Sequence, residues 1–191
     1  MKKYFLLVIM ASFHVGYAQS WIKNYESVDD WNCGLAKVSK DQKVGFVNTQ
    51  GKLIVGLIYN EAFAFSEGYA AVRANNKWGY IDSTGKEVIP AIYNEAGCFS
   101  EGYARVDKNG ICGFIDKGGN TVIAFKYQYA GNFIGGLAPV CNEKGLWGYI
   151  DKNAREVIGF KYSFADSFSE GSARVMKNGK WFYIDPTGKE L

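Results

Sequence analysis

The chain has 191 residues, 48% hydrophobic and 16% aromatic, with 22 basic against 19 acidic side chains. That apolar content excludes a disordered polymer and is enough for a core of useful size. The small net charge of +3, carried by scattered lysines and arginines, argues against nucleic acid or an anionic membrane surface as partner.

Residues 1–18 read as a secretory signal peptide. Lys2 and Lys3 supply the positive start, Phe5 to Phe13 the apolar stretch, and Gly16-Tyr17-Ala18 the small residues before a cut ahead of Gln19. The apolar stretch is too short to span a bilayer, and no later run is longer. The mature chain is therefore expected to be secreted or periplasmic, without a membrane span. Removing the segment takes two lysines and no acid, leaving a formal charge of about +1.

After a short lead-in, residues 19–30, the chain repeats itself. Phe65-Ser66-Glu67-Gly68-Tyr69-Ala70 returns as Phe99-Ser100-Glu101-Gly102-Tyr103-Ala104 and as Phe168-Ser169-Glu170-Gly171-Ser172-Ala173. Trp78-Gly79-Tyr80-Ile81-Asp82 returns as Trp147-Gly148-Tyr149-Ile150-Asp151. With Trp31, Phe65, Phe99, Phe133 and Phe168 as first positions, the copies run 31–64, 65–98, 99–132, 133–167 and a truncated, capping 168–191. The period is 34 residues, once 35, with the extra residue in the turn Asn142-Glu143-Lys144-Gly145. Position four is always glycine, position six alanine and position eight valine.

Gly-x-Ala-x-Val alternates with period two, which is strand spacing, and thereby excludes a helix-turn-helix repeat of similar length. Two turns break each copy, for example Asn75-Asn76 and Asp82-Ser83-Thr84-Gly85. Each copy is predicted to form three short antiparallel strands, in the second copy from about Tyr69 to Ala74, Lys77 to Asp82 and Lys86 to Tyr93. The position-four glycine is expected to mark a close backbone approach or a bulge. Alanine and valine are expected to face a tight interior. Trp78 and Tyr80 should share one strand face, opposite Gly79 and Ile81, with the glycine letting a neighbouring repeat approach. Copy five has Phe182 in place of that glycine, as expected of a cap.

Asp82, Asp116, Asp151 and Asp185 stand alone in their turns, which fits turn formation and not the dense oxygen ligands of a calcium site. Glu67, Glu101 and Glu170 are expected to be solvated edge charges. Four cysteines follow the export segment: Cys33, Cys98, Cys112 and Cys141. Free or buried thiols and two disulfides in any of three pairings are both open; if a pair forms, Cys112 with Cys141 is the first expectation. The only histidine, His14, leaves with the signal peptide, taking the usual general base with it. No acidic pair stands apart from the repeat pattern to run glycoside hydrolysis. The recurring aromatics read as a core ladder, or as an exposed groove for sugar rings.

These blocks resemble the WG-repeat family, named for the pair seen here as Trp78-Gly79 and Trp147-Gly148. The longer signature is similar to Phe65-Ser66-Glu67-Gly68-Tyr69-Ala70, then Lys77 to Asp82, then Gly85-Lys86-Glu87-Val88-Ile89. The resemblance covers about residues 31–191 as one domain; it departs at Val44, Cys112 and Phe182. It implies a β-rich, mainly bacterial protein with an interaction role and no defined activity. More narrowly, Asn178 to Asp185 resembles the hairpin of choline-binding cell-wall repeats, whose period is shorter and whose aromatics surround a quaternary ammonium.

The expected fold is all-β: tandem units stacked as an elongated twisted sheet or solenoid, with a closed propeller as the alternative. The expected role is an exported, non-enzymatic scaffold for an unidentified protein partner, needing no cofactor or metal. The alternative is envelope glycan binding through Tyr69, Tyr103 and Trp147, which gains if these three are exposed in one row. A glycoside-active enzyme comes third.

Overall fold

The computed structural model describes residues 20–191, so the expected signal peptide lies outside the described residues. A single 3-10 turn, Ile22–Asn24, leads into five separate antiparallel sheets. The first holds β1 (Ser27–Asn32), β2 (Leu35–Lys40), β3 (Lys43–Asn48) and β4 (Leu53–Tyr59). The second holds β5 (Glu61–Ala62), β6 (Tyr69–Ala74), β7 (Lys77–Asp82) and β8 (Glu87–Tyr93). The third holds β9 (Glu95–Ala96), β10 (Tyr103–Lys108), β11 (Ile111–Asp116) and β12 (Thr121–Tyr127). The fourth holds β13 (Tyr129–Ala130), β14 (Ala138–Cys141), β15 (Trp147–Ile150) and β16 (Glu156–Tyr162). The fifth ends after β17 (Phe164–Ala165), β18 (Ala173–Lys177) and β19 (Lys180–Ile184).

Each sheet is a simple meander, neighbours in sequence pairing in order. The all-β tandem array read from the sequence is present, with one more strand than expected in four units. The extra strand is the two-residue opener such as β5, too short to show a period. Four-stranded meanders in series are the blade construction of β-propellers. Among the described residues, however, no core cluster, hydrogen bond or ion pair joins the first sheet to the last.

The core is built in series. Ala70, Val72 and Ile81 face the first sheet with Leu35 and Phe46. Trp78 and Tyr80, on the other side of the same strands, face Phe99, Ala104 and Val106 of the third. The same alternation carries Phe114 and Ile123 to Phe133 and Val140, then Tyr149 and Ile158 to Phe168 and Val175. Trp21 and Tyr25 of the lead-in cover Ala36 and Val38 on the free side of the first sheet.

Neither of the two recurring glycines plays the role expected of it. Gly68, Gly102 and Gly171 have φ of +88°, +88° and +79°, with open space where a Cβ would stand. Each follows a residue that also has positive φ, as in Glu67-Gly68, and closes a two-residue turn bonded both ways between Ser66 and Tyr69. This turn, not a close approach or bulge, requires the position-four glycine. The close approach belongs to the Trp-Gly glycine. A Cβ on Gly79 would stand 2.5 Å from the Ile89 carbonyl oxygen and 2.7 Å from the Ala91 nitrogen. The atoms crowding it belong to the bulged strand β8 of its own sheet, not to a neighbouring repeat. Copy five tolerates Phe182 because no full fourth strand follows β19 there.

Candidate functional site

Register places equivalent residues in rows across each sheet at the hairpin end. In the second sheet the row is Glu61, Arg73, Trp78, Tyr93. In the third it is Glu95, Asp107, Cys112, Tyr127. The fourth reads Tyr129, Cys141, Trp147, Tyr162, and the fifth Phe164, Met176, Trp181. The exposed opening position thus changes from glutamate to aromatic along the array. Glu61 pairs with Arg73, and Glu95 lies 3.5 Å from Arg105.

The aromatic half forms a continuous ridge. Tyr129 and Trp147 stack with centroids 6.2 Å apart, Trp147 and Phe164 are 5.6 Å apart, and Phe164 meets Trp181 edge-on at 5.4 Å. The Arg174 guanidinium lies 4.4 Å over the Trp181 ring. Tyr129 is 62% exposed and Trp181 46%. Beside the ridge runs an open groove of about 900 Å³, whose lining includes Tyr129, Trp147 and Phe164 together with Glu95, Arg105 and Asp107.

Asp107 is 8% exposed, the sole buried charged residue among those described. Its Oδ1 accepts the Gly110 N–H at 2.9 Å. Its Oδ2 has only the Cys112 thiol, 4.0 Å away. Burial first, and then the Asp107 charge, push the Cys112 thiol up to about 11. Equivalent positions in the other sheets carry Ser39, Arg73, Cys141 and Met176. Asp107 and the aromatics at 129 and 164 are departures from the repeat, so attention to what recurs passes over them.

Of the three candidate aromatics, only Trp147 belongs to this ridge. Tyr69 and Tyr103 lie at the opposite end of their strands, half-buried against Phe99 and Phe133. Lys117 and Lys152 each cover one of these rings at 5.8 Å. The three do not share a row.

Two of the three recurring glutamates, Glu67 and Glu101, are junction residues and not solvated edge charges, whereas Glu170 is exposed as expected. Glu67 accepts the Gly102 N–H at 3.0 Å and pairs with Lys117 at 3.1 Å, so it ties the second unit to the third. Glu101 does the same with Gly136 and Lys152 toward the fourth. The turn aspartates act as read: Asp82 Oδ1 accepts from the Thr84 and Lys86 N–H groups and the Thr84 hydroxyl. Thr84 foremost holds the Asp82 carboxyl below its usual range. Of the two readings left open, free thiols or a disulfide such as Cys112–Cys141, the structure has the first: all four cysteines are free thiols. The sulfurs are committed elsewhere, Cys112 to the Gln128 carbonyl at 3.8 Å and Cys141 to that of Asn142 at 3.6 Å.

The WG containing repeat family matches four stretches, residues 45–78, 78–110, 113–145 and 147–181. No curated protein matches the chain. Among solved structures, the computationally designed Ika8 protein is similar at TM-score 0.56 and 13% identity, over 86% of this chain and 60% of that one. Hsv2 of Kluyveromyces lactis is similar at TM-score 0.56 and 12% identity, over 86% and 63%. BamB from Moraxella catarrhalis gives 0.52 and 13%, over 86% and 62%. At such identities the likeness concerns fold alone, and this chain spans about six-tenths of those proteins' length.

Proposed function

We propose, from the premise that the chain belongs to the WG containing repeat family, that it is an exported, non-enzymatic scaffold that binds another protein. The observation that carries this reading is the surface ridge Tyr129–Trp147–Phe164–Trp181, in which three exposed rings and the half-buried Trp147 pack one against the next. Aromatic anchors of this kind dominate protein interfaces. Repeat arrays present such side chains at fixed spacing, and their serial packing tolerates departures in single copies. The openers β5, β9, β13 and β17 are each two residues long, too short for a partner to add a strand, so recognition along the edge that carries the ridge runs through side chains.

Export rests on the pattern of residues 1–18. The non-enzymatic reading is supported by the position of the only histidine, within that segment, and by the use of the turn aspartates to hold backbone. The glycan alternative loses its proposed row, since Tyr69 and Tyr103 pack at junctions away from Trp147.

The test is co-sedimentation of residues 19–191 with envelope fragments before and after protease treatment of the envelope. Binding lost on protease treatment supports a protein partner. Binding that persists transfers the function to glycan or lipid.

A further inference from the structure

Within the protein-binding reading, on which this inference rests, we propose that the groove beside the ridge is a subsite for a basic side chain. A lysine or arginine of an extended partner segment would enter it, with an adjacent proline or aromatic residue lying on Tyr129, Trp147 and Phe164. Three observations converge. The groove's charged lining is Glu95, Arg105 and Asp107. Glu95 and Arg105 offset each other at 3.5 Å, which leaves one uncompensated negative charge. That charge sits on a carboxylate 8% exposed, whose Oδ2 finds no donor but a thiol 4.0 Å away. A buried carboxylate with one oxygen held only by a weak thiol donor calls for a cation or a strong donor. The ring faces and edges alongside suit the methylene stem and charged head of a basic residue, through apolar contact and cation–π attraction. A sugar offers hydroxyl donors but no charge to match Asp107.

The test uses the mature chain and labelled twelve-residue peptides of alternating Pro, Phe and Lys or Arg. Matched peptides carry Gln at every basic position, and choline chloride serves as a small ammonium probe. Affinity is read by fluorescence anisotropy at low and high salt. The basic peptides should bind, with at least tenfold weaker binding for the Gln series and a marked loss at high salt. Asp107→Asn keeps the acceptor for Gly110 and should weaken binding about tenfold or more. Tyr129→Ala, at an exposed position, should weaken it severalfold, and thermal melts check that both variants fold. The proposal is overturned by equal binding of the Gln peptides, by no peptide binding, or by unchanged affinity in both folded variants; displacement of a bound basic peptide by excess choline supports it. The envelope experiment separates the two readings. If both variants still capture a protease-sensitive partner at wild-type level, the groove proposal fails and the scaffold stands; if the wild type captures only protease-resistant material, the scaffold reading fails.

Discussion

Glu67 of the second unit and Lys117 of the third meet at 3.1 Å, and the same carboxylate takes the N–H of Gly102 at 3.0 Å. One side chain thus fastens both the turn and the charge of the following unit. The neighbouring Ser66 hydroxyl adds a bond to the Phe99 carbonyl at 2.8 Å. Ser100, Glu101 and Lys152 repeat the whole set at the next junction. The first and fourth units carry Asn32-Cys33 and Ile134-Gly135 at the serine and glutamate positions, and the residues matching Lys117 are Ser83 and Pro186. The junction device is present as a set or absent as a set.

Glu67→Gln should therefore destabilise the chain by roughly 0.2–1 kcal/mol, the size of a part-exposed ion pair. Urea denaturation measures it, and a double cycle with Lys117→Met isolates the pair. The pH response has a definite sign. Burial alone would raise the Glu67 carboxyl, but Lys117 and the Gly102 N–H hold it below the usual value of 4.5. Its stabilisation is complete above that value and is lost as pH falls through the depressed folded value. Wild type should lose stability more steeply than Glu67→Gln on acidification below pH 4.5. Parallel curves would show that the carboxylate contributes nothing.

Unit-by-unit stability follows from the same distribution. An array in which each unit touches only its neighbours opens from its weaker ends. Hydrogen exchange should protect β10 and β11 longest, since the third unit alone has a fastened junction on each side. Strands β18 and β19 should exchange first, because the four–five junction lacks the serine, glutamate and lysine contacts. Uniform protection across all five sheets would contradict serial packing.

The two glycine types separate by substitution. Gly79→Ala drives a methyl into the backbone of β8, 2.5 Å from the Ile89 oxygen, and should cost about 3 kcal/mol or more. Gly68→Ala meets open space but retains φ of +88°, costing about 1–2 kcal/mol. Gly68→Asn should recover most of that loss, since asparagine tolerates left-handed backbone, whereas Gly79→Asn should not. Ala104→Leu, at a fully buried site between the second and third sheets, should overpack by about 1–3 kcal/mol. Thermal melts rank all five.

The repeat made the fold readable because every copy restates the same constraints: Ala70 and Val72 alternate, Asp82 binds its own turn, Asn75-Asn76 closes its hairpin. Two-residue strands such as Glu61–Ala62 stayed hidden because pairing with β6, and not a local period, makes them strands. The role of Glu67 was hidden for a related reason. Its partners Gly102 and Lys117 lie in the next copy, and only stacking brings them together. The candidate groove was least legible. Asp107, Tyr129 and Phe164 stand where the copies disagree, and only register across β9, β10, β13 and β17 puts them in related rows.

The thiols give a last test, independent of any ligand. The denatured, unreduced chain should take up four alkyl groups by mass spectrometry, in keeping with four free cysteines. In the native chain exposed Cys33 should label first. Cys112 should lag most, because burial and the Asp107 charge push its thiol up to about 11 and only the thiolate attacks. Its labelling rate should climb about tenfold per pH unit below that value, and Asp107→Asn should speed it by removing the neighbouring charge. Uptake of two groups instead of four would reveal a disulfide. A Cys112 rate indifferent to Asp107→Asn would mean that the carboxylate does not act on the thiol across the β10–β11 pair, against their contact at 4.0 Å.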